Sequence, residues 1–321
     1  MDILTGLDLN IKNSAVSLGK FDGIHRGHRL LLNEILKHDK YIPTVFTFKM
    51  SNDNEKEATG RYIYSEQEKE ILLESLGIKR VILFPFNEDT KNMEPEDFIE
   101  KFLIERLDAK FICVGEDFRF GRDRRGSVGM LKKFASEFGY DIKIFHKLTT
   151  DTISNLIPKD TSNSGLSTDL NNEIISSTLI RKKIETGDLS YANKLLGKTY
   201  FAAGRVLHGN ALGHKLDMPT ANIIPRDEKV LLPLGVYATT TVVKGKRYNS
   251  VTNIGRKPTI GSNVTGIETY LIDFNKDIYG MDIIVEFHEF IRPEKKFPNI
   301  AYLKEQMEKD KKKAAEILTS Y

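Results

Sequence analysis

Apolar residues in the first half of the chain fall in short continuous runs, and the stretches between them have helical spacing. "AVSLG" (15–19), "PTVFTF" (43–48), "RVILFPF" (80–86), "FICVG" (111–115) and "DIKIF" (141–145) read as buried strands. Amphipathic stretches at 27–38, 65–77, 94–107 and 129–139 read as the helices between them. Local punctuation agrees. Ser65 and Glu68 have capping-box spacing, Gly77 stands at a C-cap, and Pro95 sits in a first turn. Strands alternating with helices predict a parallel sheet covered by helices, an α/β unit of Rossmann-like type.

The pattern then changes. Residues 149–173 are rich in Ser, Thr, Asn and Asp with little periodicity, which predicts a long mobile loop. Two short helical stretches follow at 177–187 and 190–197. From Tyr200 the chain reads as short strands with turns: 200–209, 219–225, 235–243, 246–255, 266–274 and 281–290. This predicts an α/β unit followed by an all-β barrel, closed by a charged helix over 299–318. The expected domains are 1–187 and 188–321, separable enough that a fragment from near Leu189 should fold alone.

Length supports two domains, since 321 residues exceed the roughly 150 typical of one. A formal charge of +3 with interspersed signs gives no case for a nucleic-acid or membrane-surface partner. The single cysteine, Cys113, lies in an apolar run and reads as a core residue, which fits a reducing compartment. The first residues show no signal-peptide pattern, and no apolar run has the length of a membrane span, so a cytoplasmic protein is expected.

The candidate chemistry begins at "GKFDGIHRGH" (19–28), at the seam between the first predicted strand and helix. Ligands of open α/β sheets bind beyond the strands' carboxyl ends. Gly23 and Gly27 allow close backbone approach, and a helix start offers free N–H groups and a positive dipole end for phosphate. His25 and His28 can donate hydrogen bonds to phosphate oxygens as charge develops. A surface turn that happens to hold two histidines is the plainer alternative. A metal pair lacks a third ligand at recognisable spacing.

The stretch resembles the phosphate-binding signature of the nucleotidyltransferases, and with Phe21, Asp22 and Gly23 it is similar to the FAD synthetase branch. "VGEDFRFGRDRRG" (114–126) is similar to that branch's second motif and "ISSTLIR" (175–181) to its third. The resemblance implies a nucleotide site of Gly19, Phe21, Asp22, Gly23, His25, Gly27, His28, Ser177, Thr178 and Arg181, with His28 and Arg181 catalytic. Asp117, Phe118, Phe120 and Arg125 are implied for the flavin.

Nearly all of 200–315 resembles riboflavin kinase. "GRVLHG" (204–209) is similar to its ATP loop, which implies Gly204, Val206 and Gly209 as nucleotide contacts. "PTAN" (219–222) implies Thr220 as a nucleotide contact and both Thr220 and Asn222 as Mg²⁺ ligands. "IETYLIDF" (267–274) implies Glu268 as the base that takes the ribityl hydroxyl proton. The whole chain is thus similar to the bacterial bifunctional riboflavin kinase/FAD synthetases. ATP, riboflavin, FMN and FAD are the implied partners, with no nucleic acid and no membrane, and with weak self-association left open.

Departures from the family pattern occur at Lys49, Met50 and Ser51, and at Asp217 before "PTAN". The 149–173 segment is also longer than the pattern. Two other readings stay open at this point: an enzyme with one working half, and a flavin-binding regulator that keeps the pockets.

Overall fold

The computed structural model describes residues 1–49, 61–85, 87–152, 172–208, 218–257 and 264–319. The chain divides into two compact units: 1–59 with 69–177, and 60–68 with 178–321.

The first unit is built on six parallel strands: β1 (Asp2–Thr5), β2 (Ser14–Leu18), β3 (Ile42–Phe48), β4 (Arg80–Phe84), β5 (Ala109–Gly115) and, after a two-stranded ribbon of β6 (Arg119–Phe120) and β7 (Gly126–Ser127), β8 (Asp141–Phe145). Their order is β1-β4-β3-β2-β5-β8. From β2 the chain steps through β3 to β4 on one side, then crosses back to β5 on the other. The switch point therefore lies between β2 and β5, where an open α/β sheet leaves a crevice. All five residues of β2 are buried, as a central parallel strand requires. Strand β1 went unpredicted because "MDILTG" is short and its burial pattern is mostly exposed at the sheet edge.

Helices α1 (Arg26–Leu36), α2 (Glu66–Ser75, from Lys69 on), α3 (Glu88–Lys91), α4 (Pro95–Asp97) and α5 (Val128–Phe138) connect the strands. The predicted helix over 94–107 is realised as α4 running into a π-helix, Phe98–Arg106. It buries Phe98, Ile99, Phe102 and Leu103 against Phe46, Phe84 and Ile112. Each such side chain contributes about 1.5–3 kcal/mol on leaving water.

The second unit holds α6 (Ser177–Glu185) from Thr178 on, α7 (Leu189–Leu196), and six antiparallel strands. The strands are β9 (Phe201–Arg205), β10 (Thr220–Ile223), β11 (Gly235–Val243), β12 (Lys246–Lys257), β13 (Val264–Leu271) and β14 (Asp282–Arg292), in the order β10-β13-β12-β11-β14-β9. The edges curl toward each other and meet at a bridge in which the Leu207 N–H donates to the Asn222 carbonyl at 2.8 Å. Helix α8 (Ile300–Leu318) closes the chain and buries Ala314, Ile317 and Leu318 near Ala238.

The division falls between Ser177 and Thr178, where the sequence reading placed it after Gly187. Ile180 and Ile184 of α6 are fully buried, so this helix is built into a core and is not a linker. Residues 60–68 also belong to the second unit. Tyr62 pairs with Lys229, Tyr64 stacks on Phe201 at 4.7 Å between ring centroids, and Glu68 accepts from the Ala203 N–H at 2.8 Å.

Candidate functional site

In the first unit the seam after β2 is tightly wound. Phe21 (φ 49°), Gly23 (φ 86°) and Ile24 (φ 42°) are all left-handed. A β-branched residue such as Ile24 adopts that conformation only when its surroundings impose it. Both Phe21 and Ile24 are buried, and the Thr47 hydroxyl donates to the Lys20 carbonyl at 3.0 Å. The loop is thus held from β3 as well as from β2.

The turn delivers His25 to the N-cap of α1, where its Nδ1 accepts from the His28 N–H at 3.4 Å. The two rings stack 3.7 Å apart. A Cβ on Gly27 would meet the His25 ring at 3.2 Å, so glycine keeps the ring in place. Burial pushes His25 down to about 4. Burial also holds His28 well below the ordinary imidazole value, and His25 and Lys69 lower it further. Both rings are neutral near pH 7. With Nδ1 accepting, His25 carries its proton on Nε2 and can donate from there. Nδ1 of His28 is buried with no hydrogen-bond partner. A buried polar atom left unpaired in a crevice marks a position that a ligand group can fill.

The third motif reaches this loop: the Ser177 hydroxyl donates to the Asp22 carbonyl at 2.8 Å. Thr178 and Arg181 lie in the second unit, where Arg181 Nη2 donates to Thr178 Oγ1 at 3.2 Å. The second motif leaves β5, the parallel neighbour of β2, so both motifs open at the same carboxyl end of the sheet. Asp117 pairs with Lys147 at 2.9 Å, and Arg125 with Glu94. Phe118 stacks on Phe120 at 5.7 Å, and Phe120 is itself a core residue packed on Phe98. Gly121 (φ 68°) lets the turn lie on Pro95, whose Cα would be 2.8 Å from any Cβ there.

In the second unit a cavity of about 280 Å³ opens among β10, β13, the end of β14 and α8. Thr220 and Glu268 stand on one wall, with the Thr220 hydroxyl donating to Glu268 Oε1 at 2.5 Å. Asn222 is the direct cross-strand partner of Glu268. Val236, Val251, Phe297, Leu303 and Met307 give the cavity apolar surface. Gly204 lies on β9, and the buried Val206 exchanges backbone hydrogen bonds with Met281 and Gly280.

Family models match the two halves separately. Residues 8–155 match FAD synthetase and residues 196–318 match riboflavin kinase. A bifunctional riboflavin kinase/FMN adenylyltransferase of Haemophilus influenzae is 34% identical over 308 residues, covering 94% of this chain and 92% of that protein. The chain belongs to the bifunctional riboflavin kinase/FMN adenylyltransferase family. Proteins of the same description from Bacillus subtilis and Escherichia coli K12 are each 32% identical, covering 94% of this chain and 91% of theirs. A crystal structure titled as a macrolide-efflux protein from Streptococcus pneumoniae superposes with a TM-score of 0.77 at 27% identity, covering 97% of both chains. No helix among the described residues is long and apolar enough to cross a membrane.

Within this family frame the structure gathers Gly19, Phe21, Asp22, Gly23, His25, Gly27, His28 and Ser177 around one loop, and puts Thr220 and Glu268 on one cavity wall with Asn222 opposite Glu268 on the neighbouring strand. Gly209, Asp217, Met50 and Ser51 lie outside the described residues, as does most of the 149–173 segment. Lys49 continues the pairing of β3 with β4, its N–H donating to the Phe84 carbonyl at 2.9 Å. Sequence reasoning missed Lys69, a buried cation that acts on His28. Its signal was present: Lys69 shares a helix face with Leu72 and Leu73, where a charge has no solvent reason to be.

Proposed function

We propose that the second unit phosphorylates riboflavin to FMN with ATP, and that the first joins AMP from another ATP to FMN, giving FAD and pyrophosphate. The observation that carries this reading is the hydrogen-bonded Thr220–Glu268 pair on the wall of a cavity with apolar sides. A planar ring suits the apolar surface, and a hydroxyl suits the carboxylate end. In the kinase step the ribityl 5′-oxygen attacks the γ-phosphorus, Glu268 takes the hydroxyl proton, and ADP leaves. In the adenylyl step an FMN phosphate oxygen attacks the α-phosphorus and pyrophosphate leaves, with no protein nucleophile required.

Thr220 and Asn222 offer hard oxygen donors two residues apart on one face of β10, a pair that suits Mg²⁺ neutralising ATP phosphate charge. The demand for ATP supports a cytoplasmic location. Incubation with riboflavin, ATP and Mg²⁺ should yield FMN first and FAD later on chromatography. Accumulation of FMN alone would mean one working half, and tight flavin binding with no product would mean a regulator.

His28→Ala is expected to lower FAD formation by about 10²–10³-fold, the usual cost of losing one preorganised transition-state donor. FMN formation in the same sample should stay at the wild-type rate. Unchanged FAD synthesis would remove His28 from the site.

Acid should weaken the first unit. The unfolded value of His25 is 6.5 and the folded value about 4, so the unfolded chain binds the proton first. The stability is full above pH 6.5 and is lost as pH falls toward the folded value. His25→Asn keeps an N-cap acceptor but does not titrate. Its melting temperature should therefore fall less between pH 7 and pH 5 than the wild type's, and equal slopes would exonerate this histidine.

A further inference from the structure

The second-unit cavity is also lined by an ion pair that the proposed chemistry does not use. Arg292 ends β14, and Asp310 lies in the middle of α8. Arg292 Nε donates to Asp310 Oδ1 at 3.0 Å and Nη2 donates to Oδ2 at 2.7 Å, a bidentate fork. Gln306 Nε2 donates to the same carboxylate at 2.9 Å, and Arg292 Nη1 donates to the Pro293 carbonyl at 3.0 Å. The side chains are only 18% and 5% exposed.

Where this pair sits in α8 matters more than its strength. The C-terminal part of the helix is held by apolar contact, through Ala314, Ile317 and Leu318. Its first turn has no such anchor, since Ile300 is 51% and Tyr302 56% exposed. Yet Leu303 and Met307, which line the cavity, belong to that N-terminal half and share a face with Asp310 at i, i+4, i+7 spacing. Glu294, Lys295 and Phe297, also on the cavity, lie in the connection that runs from Arg292 to the helix. Both pieces of this wall thus begin or end at the fork. A bidentate fork fixes the helix in rotation as well as distance, which an apolar contact of equal area does not.

We propose that the Arg292–Asp310 pair positions the helical wall of the cavity and thereby sets how tightly the flavin is held, taking no part in phosphoryl transfer. This rests on the reading of the cavity as the riboflavin site. Arg292 and Asp310 are positioning residues: they act through Leu303, Met307 and Phe297.

The test uses the full chain with Asp310→Asn and Arg292→Lys. Each should raise the KM for riboflavin at least about tenfold while kcat at saturation and the KM for ATP stay within about threefold. The Kd read by quenching of riboflavin fluorescence should shift by the same factor. Amide exchange should quicken over 300–309 and stay slow over 314–318. FAD formation from supplied FMN should be unchanged, because that chemistry is assigned to the other unit, and the preserved kcat at saturation reports that the second unit is folded. A merely structural pair would lower the melting temperature and the active fraction, and leave KM where it was. That outcome, or unchanged exchange over 300–309, overturns the proposal. Should Asp310→Asn not fold, Arg292→Lys and the milder Gln306→Leu carry the same ratio. A wild type that neither quenches riboflavin nor phosphorylates it refutes the ligand assignment, whereas the exchange measurement reads the hold on the wall by itself.

Discussion

Glu68→Ala is expected to destabilise the second unit by about 3–5 kcal/mol, the usual consequence of removing one partner of a buried ion pair. Side-chain exposure is 1% for Lys229 and 2% for Glu68, with 2.8 Å between Lys229 Nζ and Glu68 Oε2. Oε2 also accepts from the Ser65 N–H and Oε1 from the Ala203 N–H, each at 2.8 Å. The ammonium donates to the Ile63 carbonyl at 3.0 Å and lies 4.8 Å from the Tyr64 ring centroid and 4.6 Å from that of Tyr200. Without the carboxylate, a cation stays in a box of aromatic rings that water does not reach. Urea unfolding followed through riboflavin phosphorylation should show the midpoint falling accordingly. The double variant Glu68→Ala/Lys229→Met removes both charges and should recover most of the loss. A single variant within about 1 kcal/mol of wild type would show that the pair contributes no more than an exposed one.

The same residue shows what local pattern can and cannot convey. Ser65 and Glu68 were readable as a capping box, and the two reciprocal bonds are present at 2.8 and 3.3 Å. That Glu68 also faces Lys229, 161 residues away, is a tertiary fact with no local signature. It changes the domain picture. A fragment from Leu189 omits Glu68 and the buried Ile180 and Ile184, all parts of the second unit. Such a fragment leaves Lys229 without its carboxylate, so independence of the halves does not follow from the change in pattern near Tyr200.

Strands buried on both faces were legible because continuous apolar runs allow few alternatives, as β2 and β5 show. Strand β1 carried too little apolar signal to be seen. Among candidate site residues, those fixed by backbone geometry were the most readable. The glycines and histidines of 19–28 sit where a strand–turn–helix seam must put them, at the switch point of the sheet. Residues of the second motif were less so. Phe118 and Phe120 look equivalent in the sequence, but the tight ribbon of β6 and β7 turns Phe120 into the core and leaves Phe118 half-buried beside it.

Glu268→Gln is expected to lower riboflavin phosphorylation by about 10²–10⁴-fold, the range for loss of a general base. Alternation along β13 separates two faces, as strand geometry requires. Ile267, Thr269 and Leu271 are buried on one, while Glu268 and Tyr270 line the cavity on the other. Glutamine has nearly the same shape, and its carbonyl can still accept from the Thr220 hydroxyl, which now donates at 2.5 Å. Fold and nucleotide binding should therefore persist, and what is lost is the capacity to take a proton. FAD formation from supplied FMN should continue at the wild-type rate, because that chemistry is assigned to the other unit. The melting temperature and the rate together decide the matter. A variant that melts like wild type and phosphorylates riboflavin like wild type would show that the ribityl proton leaves by another route, and Glu268 would then be a hydrogen-bond partner that only orients Thr220.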